Sequence, residues 1–374
     1  MLDILRVLNK KVPFFIKHPI KSHNYKKIIN NKFSKAQDNN LKHLYQNQDD
    51  LHWRKAFYKL WCNNQNTHEI LNAFTENRID LINGHSQNDE GPILVTIVKN
   101  EIKRIQTFLN HYRGIGFQRF VILDNNSNDG TREWLCNQPD CDVFCTKEPY
   151  STHKREGWIN RLLSHYGFNQ WYLVVDSDEH FVYPGIEQED INYFISLIKD
   201  KGYERIRSIM LDMYPKDNII LDKKENSENE DYVAEYSYFD KTNYRVLEVH
   251  EGLMISGGPR ERIFDLKVCL TKHPLFYFRK GDIQGHSHFP YPYKKNKNLP
   301  CFSALLHYKF LNSDLNKYKQ RVEEGNFYNG SEEYKKYLQL FGNDKDNFTF
   351  FYQGSAKYKD SKSLLQVELI EEIK

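Results

Sequence analysis

The chain of 374 residues has little cysteine, little methionine and no excess of one charge. Its six cysteines stand at positions 62, 136, 141, 145, 269 and 301. Cys136, Cys141 and Cys145 lie close together, but no second CxxC-like pair completes a zinc site, so free thiols in a reducing cytoplasm are expected. No apolar stretch approaches the ~20 residues that span a bilayer. "VPFFI" (12–16) is too short for the hydrophobic core of a signal peptide. The chain is therefore expected to be soluble or peripheral and not exported by that route. A net charge of +3, from 53 basic and 50 acidic residues, excludes a general nucleic-acid binder.

What is present is enough for a sizeable core. Hydrophobic residues make up 39% of the chain and aromatics 14%. The length exceeds what one compact core usually holds, so one large domain with extensions, or two domains, is expected. The aromatics suit sugar-binding clefts and ordinary cores alike. The first 29 residues hold six Lys and one Arg against one Asp, with Leu2, Ile4, Leu5 and Leu8 at helical spacing. Such a segment suits an anionic membrane surface, here the inner face of a bacterial inner membrane, or a helix packed on the main domain. Residues 40–80 read as helical, with Trp53, Phe57, Leu60 and Trp61 on one stripe. The polar stretch "NGHSQNDEGP" then marks a boundary near residue 91.

Beyond it the pattern alternates. "ILVTIV", "RFVILD", "CDVFCT" and "QWYLVVD" read as strands, separated by helical segments of which the first and third end in glycine and the second starts on an Asn/Asp cap. This order predicts an α/β fold with a mainly parallel sheet, whose ligands bind beyond the strands' carboxyl ends. "ERIRSIMLDMY" reads as a further strand, "KDNIILDKKENSENED" as a mobile charged loop and "SGGPRERIF" as a Gly-rich turn. Three segments result: a basic helical extension over 1–90, an α/β domain over 91–311 and a helical extension over 312–374.

Polar clusters end three of the strands: Asn100 and Glu101 in "VKNE", Asp124, Asn125 and Asp129 in "LDNNSNDGT", and Asp176 and Asp178 in "VDSDE". In a parallel sheet these ends share one edge. Asp124 and Asn125 carry acceptors and donors suited to a base or ribose. Asp176 and Asp178 offer hard oxygens suited to Mg²⁺ or Mn²⁺, which keep waters and phosphates as further ligands. An ion beside a diphosphate stabilises a nucleotide leaving group.

These motifs resemble those of the bacterial family 2-type glycosyltransferases with the GT-A fold. The resemblance covers about 91–340 and rests on "VKNE", "LDNNSNDGT", "DSDEHFVYP", "GGPRERIF", "LLHYKFL" and "EEYKKY". His180 departs from it, standing where an apolar residue is expected. The resemblance implies a UDP-linked nucleotide-sugar donor and a glycan or lipid-linked glycan acceptor. Asp124 would contact the donor base, Asp176 ribose or metal, and Asp178 the metal. Thr96, Asn100, Glu101, Asn125, Asp129 and Arg155 would line the donor site. His307 would be a metal ligand and Lys309 a diphosphate partner. His286 and His288 in "GHSHF" are further candidates for the site or for plain hydrogen bonds, and Lys154 for phosphate or a solvated face. An inverting transfer needs a base, and Glu261 in the Gly257–Gly258 turn is the expected one, with Asp212, Glu251 and Asp282 as alternatives. The high Asn, Lys and Ile content suggests an AT-rich bacterial genome and surface-glycan assembly, such as lipopolysaccharide or capsule. Two rival readings are a nucleotidyltransferase and a non-catalytic carbohydrate- or membrane-binding protein. The first lacks its Gly- and Arg-rich phosphate loop before "VKNE", and the second would have lost carboxylates that are present.

Overall fold

The computed structural model describes residues 18–38, 50–84, 91–217, 232–311, 314–325, 328–343 and 348–373. Outside them lie Leu2, Ile4, Leu5 and Leu8 of the basic segment, residues 40–49, most of the polar stretch near residue 91 and most of the charged loop at 216–231.

The strands that carry the site are, in chain order, β1 (Asp80–Asn83), β2 (Ile93–Val98), β3 (Arg119–Asp124), β4 (Cys141–Cys145), β5 (Gln170–Val174), β6 (Glu179–Val182), β7 (Arg207–Asp212), β8 (Thr271–Lys272), β9 (Leu275–Phe278) and β10 (Cys301–His307). The helices used below are α1 (Pro19–Asp38), α2 (Asp50–Trp61), α3 (Thr67–Glu76), α4 (Ile102–Gly114), α5 (Thr131–Cys136), α6 (Thr152–Tyr166), α7 (Ile191–Asp200), α8 (Gly258–Phe264), α9 (Leu315–Glu324) and α10 (Tyr328–Asn343). The larger sheet has the order β1-β4-β3-β2-β5-β9. β2 to β5 run parallel within it, and β1 and β9 add antiparallel edges. The smaller sheet has the order β8-β7-β10-β6. The fold is thus mixed α/β, with a mainly parallel sheet flanked by helices.

Helix signals in the sequence set these elements. Ser151 caps α6 by accepting from Lys154 N, and Gly167, at φ 102°, follows its last turn. Asp190 caps α7 by accepting from Tyr193 N, and Ile191, Phe194, Ile195 and Ile198 recur on its buried face. Such a cap contributes about 1 kcal/mol. α4 buries Ile105, Phe108, Leu109 and Tyr112. With α7 and the smaller sheet it fills one core, while α2, α3 and α6 fill the other on the opposite face of β2, β3 and β5. Trp53, Phe57 and Leu60 are buried there beside Val95, Val121 and Val174, so residues 50–79 share a core with the strands beyond residue 91.

Two sequence expectations need correction. "SGGPRERIF" is more than a turn. Gly257 and Gly258 take positive φ values of 126° and 69°, and the chain then enters α8 with Pro259 in its first turn, where a missing N–H costs nothing. The C-terminal stretch is not wholly helical. Ser355–Lys357 pairs with Tyr238–Asp240, and Glu371 N donates to the Cys301 carbonyl. The antiparallel strands β6, β8 and β9 are also absent from the sequence reading, being too short to show alternation.

α6 is buried on most sides because α3 crosses it closely. A Cβ at Gly157 would stand 2.5 Å from both Ala73 Cβ and the Ile70 carbonyl oxygen. Gly157→Ala should therefore destabilise by about 1–3 kcal/mol, read by urea unfolding. Gly114→Ala, where nothing lies within 4 Å, should be neutral or stabilise by up to ~1 kcal/mol.

Candidate active site

β2 leads to β3 on one side and the chain returns to β5 on the other, so the direction of winding switches between β2 and β5. In open α/β sheets ligands bind at that switch, beyond the carboxyl ends. Asn100 and Glu101 follow β2 there, and Asp176 and Asp178 follow β5. The smaller sheet adds a row of its own. His307, at the end of β10, stands opposite Asp212 of β7 on one side and Glu179 of β6 on the other. Paired residues on neighbouring strands project to one face. Sequence-distant groups thus converge.

His307 Nδ1 lies 2.7 Å from Asp212 Oδ1, which fixes the ring and turns Nε2 toward Asp178 Oδ2 at 3.5 Å. Arg260 Nε donates to the other Asp212 oxygen at 2.8 Å. Asp176 accepts from Arg155 Nη2 at 2.6 Å and from Lys272 Nζ at 2.7 Å. The same ammonium meets both Glu179 oxygens at 2.6 and 2.7 Å. Asp176 keeps 39% of its side chain exposed and Asp178 18%, whereas Lys272, Glu179, Asp212 and His307 are buried.

The charges follow from these contacts. Burial works against the Asp178 carboxylate, but His307, Lys309 and Arg104 hold its pKa well below the usual range. Burial likewise opposes Asp176, and Arg155 and Lys272 outweigh it. Burial would push His307 down, yet Asp178 and Asp212 raise it above 6.5. Lys272 loses by burial and gains more from Asp176 and Glu179, so its pKa is raised.

One set of donors could hold a metal ion. Ligand atoms of Asp178, Glu179 and His307 lie within 4.8 Å of one another. The fit is partial. Asp178 and His307 Nε2 suit a cation, and Asp212 orients the imidazole from behind, as second-shell carboxylates do. Glu179 is already matched by Lys272. Asp176, expected as a ligand, stands outside the set, and Arg155 and Lys272 occupy its oxygens.

The expected donor-site residues are gathered at this edge, but several serve the loops themselves. Asp124 is fully buried, accepting Ser127 N with both oxygens at 2.9 Å and the Arg132 guanidinium at 3.2 Å. It shapes the 124–131 loop, and its carboxylate is not presented to a base. Asn125 donates to the Thr146 and Glu148 carbonyls. Asp129 caps both Ile102 N and Thr131 N. Asn100, at φ 57°, accepts from Asn128 N. Glu101 is bound by Lys317 and Arg104. Thr96 lies inside β2, buried, with no hydrogen-bond partner for its hydroxyl among the described residues. Lys309 sits beside Tyr334 and Glu333 at 3.3 and 3.6 Å. Lys154 stays partly exposed near Glu148, at 3.7 Å.

His180 does the work of an apolar residue. It stacks on His111 at 4.5 Å, and burial keeps both rings neutral, with His111 pushed down to about 4. His286 and His288 make plain hydrogen bonds: His288 N donates to His286 Nδ1, and His288 Nδ1 lies 2.7 Å from the Thr271 carbonyl. Among the candidate bases, Glu261 is paired with Arg245 through one oxygen, Asp212 with His307 and Arg260, and Asp282 with Arg205 and Lys295. The arginines beside Glu261 turn elsewhere, Arg260 to Asp212 and Glu333 and Arg262 to Asp240. Glu251 has no ion pair among the described residues and lies close enough to act on the charge of His286, which Arg155 also feels.

Sequence reasoning missed Lys272, Arg260, Arg104 and Glu333. Arg260 and Glu333 stand in the quoted "GGPRERIF" and "EEYKKY" and Lys272 and Arg104 in ordinary context, and only the ladder pairings and helix docking reveal the partner of each. A scan of the chain against protein-family models and a search of curated proteins each returned no match.

Lys272→Met should destabilise the fold by about 3–5 kcal/mol, because it leaves the buried Glu179 carboxylate without its cation, while Asp176 keeps Arg155; urea unfolding near neutral pH reads this. Glu333 gives a pH signature. Burial opposes its charge, but Lys309 and Arg260 hold its folded pKa down at about 2, against 4.5 when unpaired. Its contribution is therefore present above 4.5 and lost as pH falls toward about 2. Glu333→Gln should flatten the dependence of unfolding free energy on pH across that window.

Proposed function

We propose that the chain is a divalent-metal-dependent glycosyltransferase with a GT-A-type fold. It moves a sugar from a UDP-linked donor to a hydroxyl of a glycan or lipid-linked glycan, with inversion. The observation that carries this reading is the pairing of Asp178 with His307 Nε2 at the sheet's switch point, the imidazole held from behind by Asp212. A nucleotide site with a hard cation fits that edge and explains why carboxylates gather there.

Asp178 and His307 would hold the ion, which supplies Lewis-acid stabilisation of the diphosphate leaving group. The protein's own part is positional and acid–base. Arg155 and Lys272 fix Asp176, whose exposed side faces the ribose. Lys309, near enough to lower the pKa of Asp178, would meet the diphosphate. Glu251 takes the acceptor's proton, since a base must be free to accept one and Glu261, Asp212 and Asp282 are ion-paired.

The test is incubation with Mn²⁺ or Mg²⁺ and a panel of nucleotide sugars, measuring nucleoside diphosphate released. Release of pyrophosphate would indicate nucleotidyl transfer instead. Asp178→Asn should lower turnover by ~10²-fold or more with the melting temperature preserved; full activity of that variant in chelator would refute the metal role. Glu251→Gln should lower transfer by ~10²-fold or more and leave donor affinity intact. The same loss in Glu261→Gln, with Glu251→Gln active, would move the base to Glu261.

A further inference from the structure

Charge is divided unevenly along the chain. Residues 1–61 hold 13 Lys and Arg against 4 Asp and no Glu, and the remainder holds 40 against 46. The described part of that basic stretch is the α1–α2 pair. The two helices run antiparallel. Ser22 and Tyr58 share a hydrogen bond of 2.5 Å, Tyr25 stacks on Trp61 at 4.6 Å, and Arg54 donates to Asn30 at 3.1 Å. These contacts use up the apolar stripe of α1, with Ile29, Phe33 and Ala36 buried.

The opposite face is left to solvent. Lys27 and Lys35 of α1 and Lys55 and Lys59 of α2 are exposed on it, Lys21 is exposed at its border, and Lys26 lies over the Tyr58 ring at 5.2 Å. Lys55 and Lys59 are one turn apart, so they share a side of α2. The two helices hold eight Lys and Arg against two acidic residues, Asp38 and Asp50, and Lys32 is met by Glu76 of α3. Ile20 is 76% exposed and Leu51 54%, apolar groups set among the lysines.

We propose that this lysine face docks on an anionic lipid bilayer. Lysine ammoniums meet phosphate headgroups without needing a fixed geometry, and apolar side chains between them gain by entering the headgroup region. A nucleic acid would give Ile20 and Leu51 nothing to bury against. The one arginine of the pair, Arg54, is committed to Asn30 and the Phe33 ring. The net acidic remainder of the chain is repelled by the same surface, so docking also orients the molecule with α1 and α2 toward the lipid. The proposal does not depend on the catalytic reading.

The full chain is tested by flotation with vesicles of phosphatidylcholine alone and of phosphatidylcholine mixed with phosphatidylglycerol. It should float with the mixed vesicles only, and less at higher salt. The combined variant Lys27→Glu, Lys35→Glu, Lys55→Glu, Lys59→Glu should keep the melting temperature and lose binding by ~10-fold or more. The milder pair Lys27→Gln and Lys55→Gln should lose part of it. Equal recovery with neutral vesicles, no recovery with either, or binding unchanged in both variants overturns the proposal. So does a loss confined to deletion of residues 1–17, or a chain that leaves mixed vesicles for added RNA.

Discussion

Four carboxylates, Asp176, Asp178, Glu179 and Asp212, meet at one edge of the protein, and the structure around them is arranged to make that tolerable. Left alone, carboxylates so close and so little exposed repel one another and lose hydration. Each is answered by a group from a different part of the chain: Asp176 by Arg155 from α6, Glu179 by Lys272 from β8, Asp212 by Arg260 from α8 and Asp178 by the His307 imidazole from β10. Strands β8 and β10 belong to the smaller sheet, so the site exists only when both sheets are assembled.

The same logic continues outward. Arg104 links Glu101, Asp314 and the Tyr308 carbonyl, while the Tyr308 amide donates to the Asp178 carbonyl at 2.8 Å. Glu333 of α10 binds Arg260, which binds Asp212. The C-terminal helices thereby hold the backbone of the acidic loop and the far side of the histidine. Much of the polar sequence that looks like ligand-binding material is spent on this internal bracing. Among the described residues, Asp176 and Asp178 stay partly exposed and Glu251 has no ion pair, and the proposed division between donor, cation and acceptor draws on these three.

The N-terminal helices fit the same economy of faces. α3 packs on α6, which lies on the larger sheet, α2 joins them in the same core and α1 covers α2 and α3, so each helix gives its apolar stripe to the layer beneath. Among the described residues, Glu76 answers Lys32 and no acidic side chain pairs with Lys27, Lys35, Lys55 or Lys59, and the docking proposed for them follows from that leftover face.

Local sequence determined the β2–β5 strands, the caps of α6 and α7, and the three polar clusters at strand ends, because hydrophobic periodicity and capping chemistry act over a few residues. The carboxylate cluster also drew attention to Asp178, and the resemblance to His307. Local sequence did not determine which carboxylates are already matched. Asp124 and Asp178 look alike in sequence, yet one is sealed by Ser127 N and Arg132 and the other faces an imidazole. Nor could it join His307 to Asp212, 95 residues apart, or place Lys272 between Asp176 and Glu179. Those pairings depend on strand register and sheet order, which are set by tertiary packing and leave no local periodicity to read.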